Sequence, residues 1–422
     1  MWYDRGNIYG TAPYAQEDRR PLMKMTGDQT LIKRMNKSLV LDTIIAHAPI
    51  SRADISAKIG LNKASVSSLV AEWLEERLVL ETGLGESSGG RKPVMLLYNA
   101  SAGYAVGVDL GVNSVSAVLT DLSGAIVAKE RHRLRVSEPT AVADVAARTI
   151  RSLADAAPAS PYGVVGVGLG VPGIVDDGGV VLTAPNFGWR DAPLREMLET
   201  RVAMPVVIDN EANVGAVGEK QFGIGKDVGD LVYISAGVGI GTGLIVDHKL
   251  YRGASGFSGE LGHMTIQADR GLPCGCGSAG CWEMYASEIA LAARPGRSPE
   301  LAELESALRL AEAGDAEAIA AFEDIGRYLG IGIATIVNAF NPEMTIIGNR
   351  LALARPWIER PLREAVERHA LRHHRDRSRL EFASLGLDSA ALGAASLAIS
   401  RFLDGAKAGG GGPPGAATAA EG

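Results

Sequence analysis

The 422-residue sequence is short of cysteine, of long apolar runs and of net positive charge. Its three cysteines all fall between positions 274 and 281; an odd number crowded this way does not suggest a disulfide framework and reads instead as metal ligands. No apolar run reaches the roughly 18 residues that a membrane helix needs. The opening Met1-Trp2-Tyr3-Asp4-Arg5 lacks the basic start and apolar core of a secretory signal. The expectation is a cytoplasmic chain with no membrane partner. The net charge of −7 leaves no overall excess of cations to hold a polyanion. Residues 1–98, however, carry 13 Lys and Arg against 11 Asp and Glu, and the rest carries 29 against 38. Any contact with nucleic acid must therefore come from the front end.

The length exceeds one small core and predicts two or three folding units. At 46% hydrophobic and 22% charged residues, the composition is that of a globular protein. Residues 1–28 lack apolar periodicity and read as a mobile arm. Residues 405–422, with Gly409-Gly410-Gly411-Gly412-Pro413-Pro414, read as a disordered tail.

Residues 29–98 read as a unit of three helices and a hairpin. Leu31, Ile32, Met35, Leu39, Ile44 and Ile45 give a first long helix. Ser51, with Asp54 three residues on, caps a second helix. Gly60-Leu61-Asn62 makes a turn, and Asn62 caps a third. That helix places Val66, Leu69, Val70, Trp73 and Leu74 on one face. Lys63, Ala64, Ser67 and Ser68 lie opposite, with Ser65 at the edge. Short hydroxyls and a lysine at a helix start suit base edges and phosphates in a major groove. The hairpin tip Ser87-Ser88-Gly89-Gly90-Arg91-Lys92-Pro93 offers two cations on flexible glycines, suited to a phosphate ridge or a minor groove. The unit thus reads as a winged helix-turn-helix; a small helical domain that binds protein is the plainer alternative.

From 102 to 403 the pattern is a β-meander followed by alternating helices and strands, twice over. It predicts an α/β protein with two lobes. Within it, His263 and, after ten residues, Cys274, Cys276 and Cys281 make a closed Cys3His set, the signature of structural Zn2+. Glu260 and Glu283 flank the set as acceptors for hydroxyl groups. Asp109-Leu110-Gly111 ends one buried strand, and Gly237, Gly239, Gly241 and Gly243 punctuate a second hairpin. Such loops expose N–H groups to phosphates, although tight turns alone also call for glycine. Asp209-Asn210-Glu211-Ala212-Asn213 ends a strand and starts a helix, where an α/β protein binds its ligand.

Glu260-x-Gly-His263, Cys274-x-Cys-Gly-x-x-Gly-Cys281 and Gly237-x-Gly-Ile-Gly-x-Gly243 resemble motifs of the ROK family, which groups repressors, open reading frames and sugar kinases. The resemblance spans about 26–403. The stretches Thr26-Gly27-Asp28-Gln29, Asn62–Leu69 and Gly85–Val94 look like the regulator branch, in particular the xylose repressors of Gram-positive bacteria. It implies a two-lobed actin-like (ribonuclease H-like) sugar-kinase fold behind the winged helix-turn-helix. The sugar residues it implies are Asn186, Asn210, Glu211, Glu260, His263 and Glu283. His263 then serves two partners, zinc through one nitrogen and the sugar side through the other.

Three departures from the kinases bear on ATP. Glu211 stands where they carry a general-base Asp, Val112-Asn113 where they carry Gly-Thr, and Asn349-Arg350 where consecutive glycines follow Gly348. They predict that sugar binding is kept, that phosphoryl transfer is lost and that ATP is not used. The expected function is repression of a sugar operon. A homodimer or tetramer would sit on palindromic operator DNA, and xylose is the first candidate effector. Glucose, N-acetylglucosamine, a phosphorylated sugar, transcriptional activation and a working ROK sugar kinase with a DNA-binding appendage remain the alternatives.

Overall fold

A computed structural model describes residues 29–84, 92–292 and 298–408. The expected arm at 1–28, Arg91 of the hairpin tip and residues 409–422 lie outside the described residues.

The N-terminal unit runs α1 (Gln29–His47), β1 (Ile50–Ser51), α2 (Arg52–Ile59), α3 (Lys63–Glu75), β2 (Val79–Leu84) and β3 (Val94–Tyr98). Both expected caps form. Asp54 N donates to Ser51 Oγ at 3.2 Å, and Ser65 N donates to Asn62 Oδ1 at 2.8 Å. Such a cap contributes about 1 kcal/mol by satisfying an N–H that the helix leaves open. Gly60 ends α2 at φ 71°, a left-handed turn that glycine adopts without strain. The hairpin gains a third strand, since Ile50 of β1 pairs with Leu96 of β3.

The expected first helix forms, but most of the apolar residues that marked it do not face inward. Of the six only Ile44 is buried; Leu31, Ile32, Met35, Leu39 and Ile45 are exposed. The helix packs through Lys37, Val40, Leu41 and Ile44 instead. Its rotation is set by α3, where Trp73 Nε1 donates to Lys37 O at 3.1 Å and the Lys37 ammonium lies 4.3 Å over the indole. A helix with apolar residues on several sides carries no local signal for which side faces inward.

The first lobe contains β4 (Tyr104–Leu110), β5 (Ser114–Asp121), β6 (Ile126–Arg133), α4 (Pro139–Asp155), β7 (Val164–Val171), β8 (Ile174–Val175), β9 (Val181–Ala184), β10 (Trp189–Ala192), α5 (Leu194–Val202), β11 (Val206–Asn210) and α6 (Glu211–Gln221). The second contains β12 (Leu231–Ala236), β13 (Ile240–Val246), β14 (Lys249–Leu250), α7 (Glu283–Ala286), α8 (Ile289–Ala292), α9 (Leu304–Glu312), α10 (Ala316–Phe340), β15 (Met344–Gly348), α11 (Arg355–His369), α12 (Arg372–Arg375) and β16 (Arg379–Phe382). The chain then returns as α13 (Ser389–Lys407) to the first lobe.

The two main sheets repeat one topology. Their orders are β6-β5-β4-β7-β11 and β14-β13-β12-β15-β16. Each is an antiparallel meander of three strands, with two more strands added in parallel beside the first. This duplicated α/β arrangement is the two-lobed actin-like fold. The first core gathers Val106, Val108, Leu169 and Ile150; the second gathers Trp282, Phe322, Ile325 and Leu329. Trp282 is fully buried, and its Nε1 donates to Tyr328 O at 2.8 Å. Helix α13 lies directly on the first sheet: a Cβ at Gly168 would stand 1.8 Å from Ala394 O. It also runs past the expected break at Gly405, because Ala406 is buried and Lys407 Nζ pairs with Asp42 at 2.6 Å. Among the described residues, no helix is long and apolar enough to cross a membrane.

Candidate functional site

A cavity of about 710 Å³ opens between the lobes. Asn186, Asn210, Glu211, Glu260, His263 and Glu283 all line it, as do Asp109, Gly111, Gly237, Gly239 and Gly241.

The junction of β11 and α6 supplies the floor. Asn210 caps α6, its Oδ1 accepting from Ala212 N at 2.8 Å and Asn213 N at 3.3 Å. Its Nδ2 donates to Gly173 O at 2.9 Å, which fixes the side chain from both ends. Next to it, Glu211 Oε2 is shut off from solvent and has no hydrogen-bond partner among the described residues. Burial, reinforced by the Asp109 carboxylate, pushes the Glu211 carboxyl up to about 8. Burial likewise raises Asp109 to about 6, although Arg131 pulls it back. Asp209 is held in place by Arg252 Nη2 at 2.5 Å and by Asn213 Nδ2 at 3.0 Å. Arg252 gave no signal in the sequence, since its partner lies 43 residues away.

The metal-ligand set forms one wall. The ligand atoms of His263, Cys274, Cys276 and Cys281 all lie within 4.8 Å of one another. His263 Nδ1 is 3.6 Å from Cys274 Sγ, and Cys276 Sγ is 3.7 Å from Cys281 Sγ. A tetrahedral zinc ion with bonds of about 2.0–2.3 Å spaces its ligands about 3.5–3.8 Å apart, so the donor set fits. The loop closes because Gly277 and Gly280 turn at φ 91° and 76°. Gly280 also passes so near Gln267 O that a Cβ would stand 1.9 Å from it. Glu283 Oε1 lies 3.4 Å from His263 Nδ1, and Glu260 Oε2 lies 4.0 Å from Nε2 on the other edge of the ring. The imidazole thus presents one nitrogen to the thiols and the other to a cleft carboxylate.

The glycine hairpin divides in two. Gly237, Gly239 and Gly241 face the cavity, whereas Gly243 does not line it. A Cβ at Gly243 would stand 2.5 Å from Ala212 O, so this glycine lets β13 lie against α6 and is removed from the phosphate-loop set. At the same end, Asn349 holds φ 66° although it is not glycine. Its Nδ2 donates to Ser235 Oγ at 2.9 Å, and its Oδ1 accepts from Arg350 N at 2.7 Å. Arg350 in turn grips Glu288 through Nε at 2.8 Å and Nη2 at 3.1 Å, and reaches Glu305 at 3.2 Å.

Outside the cavity lining, α3 turns Lys63, Ala64, Ser67 and Ser68 to solvent, with Ser65 half-buried. Lys92 is exposed at the start of the returning hairpin arm.

The family model for the ROK family matches residues 105–401. The xylose repressor of Bacillus spizizenii is 42% identical over 377 residues, covering 89% of this chain and 98% of that one. The glucokinase of Streptomyces coelicolor is 34% identical over 317 residues, covering 70% of this chain and 98% of that one. Among solved structures, a ROK-family transcriptional regulator homologous to the Escherichia coli MLC protein superposes with a TM-score of 0.73 at 27% identity, over 89% of this chain and 99% of that one. A ROK-family glucokinase from Streptomyces griseus, in complex with glucose and AMPPNP, gives 0.63 at 32% identity over 70% of this chain and 99% of that one. Sequence, duplicated sheets and cleft agree: this chain belongs to the ROK family.

Proposed function

We propose that the chain is a sugar-responsive transcriptional repressor of a xylose-utilisation operon. One observation carries the reading. Similarity to the xylose repressors reaches 89% of the chain, against 70% for the glucokinase, and so takes in a further stretch beyond the kinase-like part. In that further stretch α3 offers Lys63, Ala64, Ser65, Ser67 and Ser68, Lys92 is exposed just ahead of β3, and Arg91 precedes it in the sequence. A winged helix-turn-helix would set the helix in the major groove and the hairpin on the backbone. A homodimer would place two such helices on a palindromic operator, one helical turn or a multiple apart.

Xylose would bind through Asn186, Asn210, Glu211, Glu260, His263 and Glu283. His263, Cys274, Cys276 and Cys281 would hold a structural zinc ion. Bound, the ion fixes the ring of His263 and the loop before Glu283, with no open position for a reacting water. Sugar releases DNA only insofar as it binds the released state more tightly than the DNA-bound one.

Phosphoryl transfer is lost in this reading. Glu211 carries one methylene more than an Asp base, and proton abstraction tolerates little misplacement. Asn349 and Arg350 line the cavity where the kinases carry consecutive glycines, and their side chains would take nucleotide space, so ATP would not be used. The test is a titration of the purified protein with D-xylose, alone and with labelled DNA from upstream of its own gene. Sugar that binds and weakens the DNA complex is the expected result. Turnover of ATP and sugar on the order of 1–100 per second would make the chain a kinase instead.

A further inference from the structure

Glu219 lies in the last turns of α6, 0% exposed. Its carboxylate accepts five hydrogen bonds. Oε1 takes Leu385 N at 3.0 Å and Ser389 Oγ at 2.8 Å. Oε2 takes Ser384 N at 3.3 Å, Ser384 Oγ at 3.0 Å and Ile224 N at 3.2 Å. Four of the five come from the segment that leads into α13 and from its first residue. So large a donor set satisfies both oxygens of a side chain shut off from water.

The two helices joined by this carboxylate also meet backbone to backbone. A Cβ at Gly218 would stand 2.1 Å from Ser389 O, and one at Gly393 would stand 1.7 Å from Val214 O. No side-chain layer lies between them to absorb a displacement, and packed interiors are nearly incompressible. At its other end α6 begins with Glu211, capped by Asn210, both on the cavity wall. The helix is a rod of 11 residues, roughly 16 Å long.

Helix α13 has a second attachment. Ala398, Ile399 and Ala406 share one core with Val40, Leu41 and Ile44 of α1 and with Val70 and Trp73 of α3. Phe402 packs edge-on to Tyr162 at 4.9 Å, and Tyr162 Oη donates at 2.8 Å to the carbonyl of Glu76, the residue that ends α3. Lys407 pairs with Asp42 of α1.

We propose that Glu219 is the positioning residue that couples occupancy of the cleft to the pose of α3, by clamping the end of α6 to the start of α13. A ligand that settles on Asn210 and Glu211 moves α6; the clamp makes α13 follow, and α13 carries the shift to α1 and α3. Interfaces of this kind hold discrete arrangements rather than deforming smoothly, which suits a switch. The inference rests on the sugar-responsive reading above.

The experiment measures binding of labelled upstream DNA by anisotropy, with and without saturating D-xylose, and D-xylose binding by calorimetry. It compares the native chain with Ser389→Ala and Glu219→Gln. In Glu219→Gln an amide NH2 faces a backbone N–H in either orientation, so half the clamp opens. Ser389→Ala removes one bond and leaves the carboxylate, which keeps the test readable if the glutamine variant fails to fold. The native chain should weaken its DNA complex roughly 5- to 150-fold with xylose, the usual span of coupled sites. The variants should bind xylose and DNA separately as the native chain does, while that ratio falls toward one. A Ser389→Ala protein that keeps the full ratio, or that loses both affinities together, overturns the coupling role and leaves the repressor reading standing. A native chain that neither binds xylose nor releases DNA overturns the repressor reading, and this role with it.

Discussion

His263 Nε2 lies 4.0 Å from Glu260 Oε2, on the edge of the ring turned away from Cys274 Sγ. One imidazole therefore joins the candidate metal-ligand set to a carboxylate of the cleft, and a change at the set should be felt there.

The purified protein should contain one zinc ion per chain by elemental analysis. Cys281→Ser should lose it and lower xylose affinity about 10- to 100-fold, because the ring and the Glu283 segment lose their anchor. A zinc-free variant with native xylose affinity would show that the site serves the fold alone.

Lys63 is exposed at the first position of α3. Lys63→Ala should weaken operator binding and reduce the slope of log affinity against log salt by about 1, the weight of one phosphate contact. Xylose binding should stay unchanged. Equal operator affinity and equal salt slope in the two proteins would remove α3 from the DNA interface.

Arg350 neutralises Glu288, whose side chain is 11% exposed. Arg350→Ala should cost about 1–3 kcal/mol in denaturant unfolding, the penalty of a nearly buried acceptor left without its donors. Glu288→Gln on top of it should recover part of that loss, since the amide carries no charge to strand. A second substitution that adds a further full penalty would mean that the pair is not the source.

Glu211, raised from 4.5 to about 8, should be neutral in the folded protein at pH 6 and charged at pH 9. A carboxyl whose folded value is raised stabilises the fold most below its unfolded value. That contribution is lost as pH rises from about 4.5 through 8. Glu211→Gln, which cannot ionise, should therefore gain on the native protein in melting temperature between pH 6 and pH 9. A difference that stays flat across this range would place the titration elsewhere.

The parts legible in the sequence were those written over a few residues. Ser51 and Asn62 cap helices because each reaches an N–H three positions on. The metal set crowds into 274–281 with one histidine upstream, so its chemistry could be read from spacing. The ends of β4 and β11 were marked by Asp109 and by Asp209-Asn210-Glu211. Five of the six apolar residues that marked α1 proved exposed, since α3 and Trp73, not periodicity, choose which face turns inward. Gly243 looked like its three neighbours in the hairpin, and only the approach of Ala212 O separates it from them.

The sequence by itself determined the class of the molecule: an α/β chain with a Cys3His loop, strand-end carboxylates and a small polar helix face near its start. These depend on residue type and short spacing, which local physics fixes. Only the tertiary structure decided what meets across long separations: Arg252 with Asp209, Arg350 with Glu288, and Glu219 with Ser389, 170 residues on. Such pairs form because two duplicated sheets and one returning helix bring distant segments to the same place. A buried charge selects its partner only after packing has excluded water.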